Sequence, residues 1–429
     1  MATDLGSVAP PLTLAINEPV LRWSARAHSI DEVESELNRI WAKQDLTVQE
    51  GQAGADAAVG GRHLAARTSV MNLVVIAARP EVGERCAAII QMLTGRHPSR
   101  TTIVQPADPD GPSWLDAQIT AHCVVPRADA PETCAETVHL TIGGESGRHL
   151  SAVIAPLLIH DLPVTIWWPG EPPFATKATN ELFSACDRLV VDGSTWSGDG
   201  LARLAEMATC AETTGIAVSD FAMMRQSRWR EAIASIFDDP DYLPYLRYVR
   251  RISVTYGTHD DAGSPGSTNI VKPVYHVAWL ASRLGMHVVK PLAEATSPAK
   301  AVKPKPGSAS PMHRGMTASL ADGRSEVAVV IRPIHSDMPS GTTLRVELLC
   351  DRRGSELRAD VTAEAETVHV RVWIDGVEAL DRHFLAARRG DVDLLAESIE
   401  AVDRDRVSYG TLQMAAKLTG AHTHGHRST

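Results

Sequence analysis

The chain has 429 residues, of which 44% are hydrophobic and 22% are charged, and its formal net charge is −10. That length predicts two or three domains, and the apolar fraction is large enough for a buried core, which excludes a chain that is disordered throughout. The acidic balance argues against a protein that binds nucleic acid through bulk positive charge. The most apolar stretch, residues 150–168, contains two prolines, His160 and Asp161, which argues against a membrane span.

The spacing of the cysteines and the N-terminal residues indicate the cellular compartment of the protein. The six cysteines are scattered without a CxxC pair, a pattern typical of reduced thiols rather than of a disulfide framework. The first basic residue is Arg22, so no positively charged region precedes an apolar segment as in a secretory signal. We therefore expect a cytoplasmic protein.

Residues 1–64 are predicted to be an irregular lead-in, over residues 1–28, followed by one helix. Ser29 and Glu32 have the spacing of a capping box. Ile30, Val33 and Leu37 then repeat at helical spacing.

Residues 65–220 are predicted to form an α/β domain with a mostly parallel sheet. Residues 72–77 are a continuous apolar run, typical of a strand buried on both faces. Pro80 then begins a predicted helix. Further strands are predicted over 101–105, 117–125, 136–142, 164–168 and 186–191, and helices over 147–159 and 200–212. Strands that alternate with helices indicate βαβ crossovers.

Residues 221–418 are predicted to form a C-terminal α+β domain, in which a helical segment precedes an antiparallel meander. Residues 343–350 and 368–374 alternate between apolar and polar, and Asp375-Gly376 predicts a hairpin turn. Two helices close the domain. The proline- and lysine-rich residues 290–316 are interpreted as a linker or an exposed loop, and residues 419–429 as a disordered tail.

Motifs that carry chemistry are scarce. Neither a GxGxxG fingerprint nor a phosphate-binding P-loop occurs. The turn Gly143–Gly147 has amides that could hold a phosphate, but its spacing fits neither fingerprint, and a tight turn between a strand and a helix is the favoured interpretation. Ser146 lacks the glycine at position 148 that a nucleophile elbow requires. His422, His424 and His426 alternate in the tail without any supporting residues. We therefore predict no catalytic, cofactor-binding or metal-binding residues.

Polar and aromatic residues at the ends of predicted elements are the candidates for a contact surface. Because ligands and partners gather at the carboxyl ends of parallel strands, the segment after residue 168 is of interest. Tryptophan and arginine are also the residues that most often anchor interfaces. The candidates are His97, Arg100, Trp168, Pro169, Glu171, Arg228 and Arg230. An alternative is that Trp168 ends the core and that the prolines shape a turn.

Several segments together resemble the OpcA family of glucose-6-phosphate dehydrogenase assembly proteins. The most specific is PLLIHDLPVTIWWPGEPP at 156–173. Others are NLVVIA at 72–77, HPSR at 97–100, LDAQI at 115–119, RWRE at 228–231, AWLASRLG at 278–285 and LLAESIEAVDRDRVSYGTLQMA at 394–415. They cover roughly residues 65–415.

The resemblance implies a non-enzymatic partner of glucose-6-phosphate dehydrogenase that promotes its oligomerisation or activity. It leaves open thioredoxin control, self-association and metabolite binding. The alternatives are an enzyme that holds a sugar phosphate at Gly143–Gly147, with Arg148 and Arg100 nearby, and a sensor of a phosphorylated metabolite.

Overall fold

The computed structural model describes residues 20–42, 66–67, 69–124, 133–259, 268–295, 315–401 and 404–420. The chain divides into two compact units, Met1–Val164 and Thr165–Thr429. The sequence interpretation placed a domain boundary at 220/221, and that placement stays a prediction. The histidine tail and most of the proline- and lysine-rich segment lie outside the described residues.

The first unit is built on a sheet with the strand order β1-β5-β6-β4-β3. Strands β3, β4 and β6 are parallel to one another, whereas β5 is antiparallel to both β1 and β6. The short β2 pairs with β6 in parallel. The strands are β1 (Val20–Ala27), β2 (Ala66–Arg67), β3 (Met71–Ile76), β4 (Ser99–Pro106), β5 (Trp114–Val124) and β6 (Thr133–Gly143). The helices are α1 (Ile30–Ala42), α2 (Pro80–Leu93) and α3 (Leu150–Ile154).

Local sequence signals in this unit are confirmed in several places. Every residue of β3 is buried, as the apolar run predicts. The amide of Glu32 donates to Ser29 Oγ at 3.2 Å, and the Glu32 carboxylate accepts from the amide of His28 at 2.7 Å. This pair of bonds satisfies amides at the start of α1.

Three expectations are wrong in the first unit. Residues 20–27 are not irregular, since they pair with β5 as β1, a non-local partnership that their own pattern does not reveal. The single helix expected over 147–159 is broken into α3 and short 3₁₀ turns on either side. Cys123 and Cys134 form a disulfide, because antiparallel pairing of β5 with β6 places them directly opposite each other.

The second unit begins with a parallel set of strands and five helices. The strands are β7 (Val164–Trp168), β8 (Arg188–Val191) and β9 (Ala217–Asp220), which pair in that order. The helices are α4 (Lys177–Ser184), α5 (Leu201–Thr214), α6 (Phe221–Met224), α7 (Ser227–Ile236) and α8 (Val271–Arg283). These elements confirm the predicted α/β alternation.

An eight-stranded sheet completes the second unit, in the order β11-β12-β13-β10-β14-β15-β16-β17. Only β10 and β13 pair in parallel, and the other neighbours are antiparallel. The strands are β10 (Val249–Thr258), β11 (His287–Glu294), β12 (Met316–Ala321), β13 (Glu326–His335), β14 (Thr343–Arg352), β15 (Ser355–Ala363), β16 (Thr367–Ile374) and β17 (Val377–Leu385). The closing helices are α9 (Asp391–Glu400) and α10 (Arg406–Thr419).

The meander is confirmed, including its hairpin turn. Asp375 and Gly376 both adopt positive φ, 50° and 82°, which is the backbone of a two-residue turn between twisted strands. The linker interpretation is wrong for residues 290–294, which belong to β11, and for Met316, which begins β12. Their hydrogen bonds come from neighbours in the sheet rather than from local sequence.

Among the described residues, no helix is both long and apolar enough to cross a membrane.

Candidate functional site: a basic cavity in the second unit

A cavity of about 290 Å³ opens in the second unit among three groups of residues. The first group lies around α7 and the start of α8. The second consists of Met338, Pro339 and Thr342, which precede β14. The third lies on the β15–β16 connection and on residues 386–389, which follow β17.

The lining carries five cationic side chains and one carboxylate. The cations are Arg225, Arg228, Lys272, Arg388 and Arg389, and the carboxylate is Glu364. Positive charges gathered in a concave, low-dielectric surface raise the local potential and attract anions. Three of the five cations pair with carboxylates, namely Arg225, Arg228 and Arg389, so the positive charge left for an anion comes from Lys272 and Arg388.

Arg225 is held in place by two carboxylates. Its guanidinium donates to Asp192 at 2.7 Å and to Asp391 at 2.8 Å. Burial opposes the charged form of Arg225, but the two carboxylates outweigh burial and raise its pKa. Asp192 follows β8 and Asp391 begins α9, so the two ion pairs of Arg225 join these elements and stabilise the wall of the cavity.

The buried carboxylate of Asp220 stabilises the elements that form this wall of the cavity. Asp220 accepts hydrogen bonds from the Tyr275 hydroxyl at 2.7 Å, the Gly193 amide at 2.9 Å and the Ala222 amide at 2.8 Å. Burial, and then the neighbouring Asp192, raise the pKa of Asp220 to about 6. Its three donors tie β9, α6 and α8 together, a positioning role rather than a chemical one.

Lys272 and Arg388 differ from Arg225, because neither forms an ion pair among the described residues, although the charges of Asp192 and Asp220 favour the charged form of Lys272. The Lys272 amino group has no hydrogen bond or ion pair there, and burial lowers its pKa. Arg388 has one weak contact, to Met338 Sδ at 3.4 Å. Arg228 and Arg389, in contrast, each pair with a carboxylate, Glu231 and Glu397 respectively.

Two buried polar side chains of the lining have no hydrogen-bond partner in the described structure. Both ring nitrogens of His276 are unpartnered although the residue is only 1% exposed. The Thr343 hydroxyl is also unpartnered, and that residue is 7% exposed. Burial, followed by the charge of Arg230, lowers the pKa of His276 to about 3, so its ring is neutral near neutral pH. The ring of Trp229 lies 5.3 Å from that of His276.

Glu364 also belongs to a group whose side chains have the chemistry of metal ligands. A carboxylate oxygen of Glu364 and one nitrogen each of His369 and His383 lie within 4.8 Å of one another. Each already has partners within the protein, since Glu364 accepts from Thr367 and contacts His383 at 3.0 Å, while His369 contacts Asp381 at 2.8 Å. The two imidazole rings stack at 4.3 Å. These mutual contacts account for the cluster without an ion.

The candidates on α7 lie at and beside the cavity. Arg228 lines its rim, with 58% of the side chain exposed. Arg230 is half-buried, and burial lowers its pKa despite the nearby carboxylates of Asp405 and Glu397. Trp229, between these two arginines, is half-buried and lines the cavity.

The candidates after β7 lie in a second region of this unit. Trp168 is 8% exposed and its ring meets that of Phe183 edge-on at 6.1 Å. Pro169 is half-buried. Glu171 accepts from the Ser197 amide and lies 3.7 Å from Arg203. The structure thus gives Trp168 and Glu171 internal partners, and a role of these residues in a contact surface stays a prediction.

The candidates of the first unit are partly or fully enclosed. Arg100 is 9% exposed and donates to Glu136 at 2.7 Å and to the Leu157 carbonyl at 3.1 Å. His97 is half-buried, and its amide closes α2 by donating to the Leu93 carbonyl at 2.7 Å. The structure therefore gives Arg100 a structural ion pair.

The Gly143–Gly147 turn is occupied by the protein itself. The Gly144 amide donates to the Asp108 carbonyl at 2.9 Å, and a side chain at Gly143 would collide with the Trp114 ring. Glu145 and Asp110 add negative charge there, both in contact with Arg148. An acidic, filled turn is a poor phosphate site.

Sequence reasoning missed most of the cavity. Lys272 and His276 lie on the apolar helix α8, and the adjacent Arg388 and Arg389 follow β17. The only local signal was the concentration of arginines at 388–389 and 228–230. Their convergence depends on tertiary structure.

The second unit thus combines an α+β sheet domain with a cavity whose lining is rich in arginine. The chain matches the family described as glucose-6-phosphate dehydrogenase subunit, with its N-terminal domain over residues 90–209 and its C-terminal domain over residues 216–411. It belongs to this family, that of the OpcA proteins, which confirms the resemblance found in the sequence.

The curated relatives described here come from cyanobacteria and are named putative OxPP cycle protein OpcA. One, from Nostoc punctiforme, is 25% identical over 173 residues, which are 40% of this chain and 34% of the relative. Another, from Synechocystis, is 25% identical over 203 residues, 46% of this chain and 39% of the relative. The matched part of the chain thus spans less than half the length of these relatives.

Solved structures resemble the fold only distantly. A super-repressor mutant of Gal80p from Saccharomyces cerevisiae has a TM-score of 0.45 at 10% identity, over 82% of this chain and 94% of that one. The WlbA dehydrogenase from Bordetella pertussis has a TM-score of 0.41 at 11% identity, over 83% and 96% respectively.

Proposed function

We propose that this protein is a non-enzymatic assembly factor and allosteric activator of glucose-6-phosphate dehydrogenase, which supports the oxidative pentose phosphate cycle. The observation that carries the proposal is membership of the glucose-6-phosphate dehydrogenase subunit family across both of its domains. The names of the cyanobacterial relatives support the same cycle.

The energetics of such an activator are simple. It shifts the dehydrogenase towards an active assembly only to the extent that it binds that assembly more tightly than the inactive one. A coupling of about 1–3 kcal/mol changes an affinity roughly 5- to 150-fold. The effect is therefore expected to be largest below saturation of the dehydrogenase with its substrate.

We place part of the contact surface around Arg228, with Pro169 and Glu171 as the second candidate region. Arg228 is the most suitable to test, since its side chain is largely exposed and forms an ion pair with Glu231, three residues away on the same helix. An exposed pair of this kind contributes little to folding. A substitution there reports on binding rather than on stability.

The experiment mixes the purified full chain with the dehydrogenase of the same organism. We expect co-elution in size-exclusion chromatography and a higher rate at low glucose 6-phosphate. Arg228→Glu and Glu171→Lys are expected to weaken both effects. Arg247→Glu, at another exposed arginine, is the matched control.

Two results would contradict the proposal. One is the absence of both co-elution and any change in dehydrogenase rate. The other is turnover of a sugar phosphate by this chain alone, which would favour the competing function of an enzyme. If both test variants activate as the unchanged chain does while the fold persists, the contact surface lies elsewhere.

A further inference from the structure

The basic cavity of the second unit is a site that its own residues leave incomplete. Lys272 and Arg388 bring positive charge that forms no ion pair within the described structure, and only the charges of Asp192 and Asp220 partly offset that of Lys272. Arg388 is exposed, but Lys272 is half-buried, and taking its charge partly out of water without an ion pair costs free energy. The cost is recovered when an anion supplies the missing partner.

The polar atoms of His276 and Thr343 point to the same conclusion independently of charge. Both residues line the cavity, both are more than nine-tenths buried, and neither has a hydrogen-bond partner in the described structure. Buried polar groups in native proteins are nearly always paired, so two such groups on residues that line one cavity require an explanation. A ligand with hydroxyl groups provides it, because a neutral imidazole offers one donor and one acceptor.

The size of the cavity selects among anions. A volume of about 290 Å³ matches a small metabolite, since it lies at the lower end of the range for small-molecule pockets. The ring of Trp229 and nearby alanines supply an apolar wall against which the body of a ligand can pack. Two cations together suit a doubly charged group with several acceptor oxygens.

We infer that this cavity binds a small phosphate monoester, with its phosphate on Lys272 and Arg388 and its hydroxyl-bearing body against His276 and Thr343. The inference does not rest on the proposed function, because binding is a property of this chain alone. It places the site in the second unit and not at the Gly143–Gly147 turn.

Isothermal titration calorimetry on the full chain tests the assignment with four probes. Glucose 6-phosphate and AMP represent two kinds of ester, inorganic phosphate represents the anion alone, and glucose represents the body alone. We expect one saturable site for at least one ester, weaker binding of inorganic phosphate and no measurable binding of glucose.

Substitutions in the cavity identify the residues. Lys272→Met and Arg388→Gln are each expected to weaken the bound ester at least about tenfold, since each removes a charge-assisted hydrogen bond. Thr343→Val replaces the unpartnered hydroxyl by a methyl group, so it is expected to preserve the fold and still weaken the ester several-fold. Arg247→Gln is the control and should leave binding unchanged.

Several outcomes would overturn the inference. Failure of both esters to bind would exclude the site, and so would equal binding by the unchanged chain and by Lys272→Met and Arg388→Gln variants. Inorganic phosphate that binds as tightly as the esters would show an anion site without recognition of a body. Thermal unfolding of each variant shows that lost binding is not lost structure.

Discussion

A buried ion pair in the first unit and the basic cavity in the second contain similar polar residues. They differ in whether those residues have partners within the protein. Arg100 lies deep in the first unit, but Glu136 and the Leu157 carbonyl accept its hydrogen bonds at 2.7 and 3.1 Å. At the cavity, buried His276 has no hydrogen-bond partner, and neither the half-buried Lys272 nor the exposed Arg388 forms an ion pair in the described structure. A buried polar group that is fully paired contributes to the fold, whereas one left unpaired at a cavity indicates a place for a ligand.

The largest expected change in the free energy of unfolding comes from breaking the buried ion pair of Arg100 with Glu136. Arg100→Met leaves the Glu136 carboxylate buried without its counter-ion, so we expect a loss of about 3–5 kcal/mol in the free energy of unfolding. Urea denaturation of the full chain measures it. The exposed pair of Arg148 with Asp110 is the matched control, and Arg148→Gln should cost no more than about 1 kcal/mol. A small effect of Arg100→Met would show that its ion pair with Glu136 contributes little to folding.

The second largest effect is a pH dependence of the free energy of unfolding that arises from His276. Its pKa is depressed to about 3 in the folded protein by burial and by Arg230, so as the pH falls the unfolded chain takes up the proton first. Stability from this group is therefore fully present above about pH 6.5 and is lost as the pH falls towards 3. Between about pH 7.5 and about pH 5 the loss is about 2 kcal/mol.

His276→Phe keeps a ring against Trp229 and removes the titration. We expect the free energy of unfolding of this variant to fall by about 2 kcal/mol less than that of the unchanged chain over this interval. Measuring the change within each protein cancels any offset from packing. His149→Gln, at a largely exposed histidine, should show the full fall. An unchanged slope in His276→Phe would mean that this ring is paired or hydrated.

Two threonines provide the smaller, directly matched test. The Thr101 hydroxyl in the first unit is buried and lies 3.0 Å from Ser99 Oγ, so Thr101→Val is expected to cost about 1 kcal/mol. Thr343→Val in the second unit removes a buried hydroxyl without a partner, so we expect no loss or a small gain in unfolding free energy. Equal losses in the two variants, measured by urea denaturation, would contradict the distinction between paired and unpaired groups.

The elements that the sequence revealed are those set by local chemistry. The capping box at Ser29, the buried run of β3 and the Asp375-Gly376 turn each depend on a few neighbouring residues. Strands β1 and β11 were missed because their stability comes from pairing with distant strands. The Cys123–Cys134 disulfide was missed because opposition across two strands is not visible in an eleven-residue spacing.

The residues of the candidate site also divide into those that local sequence reveals and those that only tertiary structure brings together. Arg228 was found because the charged RWRE segment stands out and because the family resemblance includes it. Lys272 and His276 lie on a helix whose apolar residues mask them, and Arg388 lies more than a hundred residues further along the chain. Only the packing of α7, α8 and the end of the eight-stranded sheet brings them to one cavity.

The smallest effect on stability is expected at Arg228, and that makes it the sharpest probe of function. Its ion pair with Glu231 is exposed on one helix face at 2.7 Å, so Arg228→Gln should change the free energy of unfolding by no more than about 0.5 kcal/mol. If the rim of the cavity meets the dehydrogenase, the same variant should reduce activation while ester binding through Lys272 and Arg388 persists. Activation assays and calorimetry on one preparation separate these two outcomes. Loss of ester binding with activation intact would place Arg228 in the ligand site rather than in the contact surface.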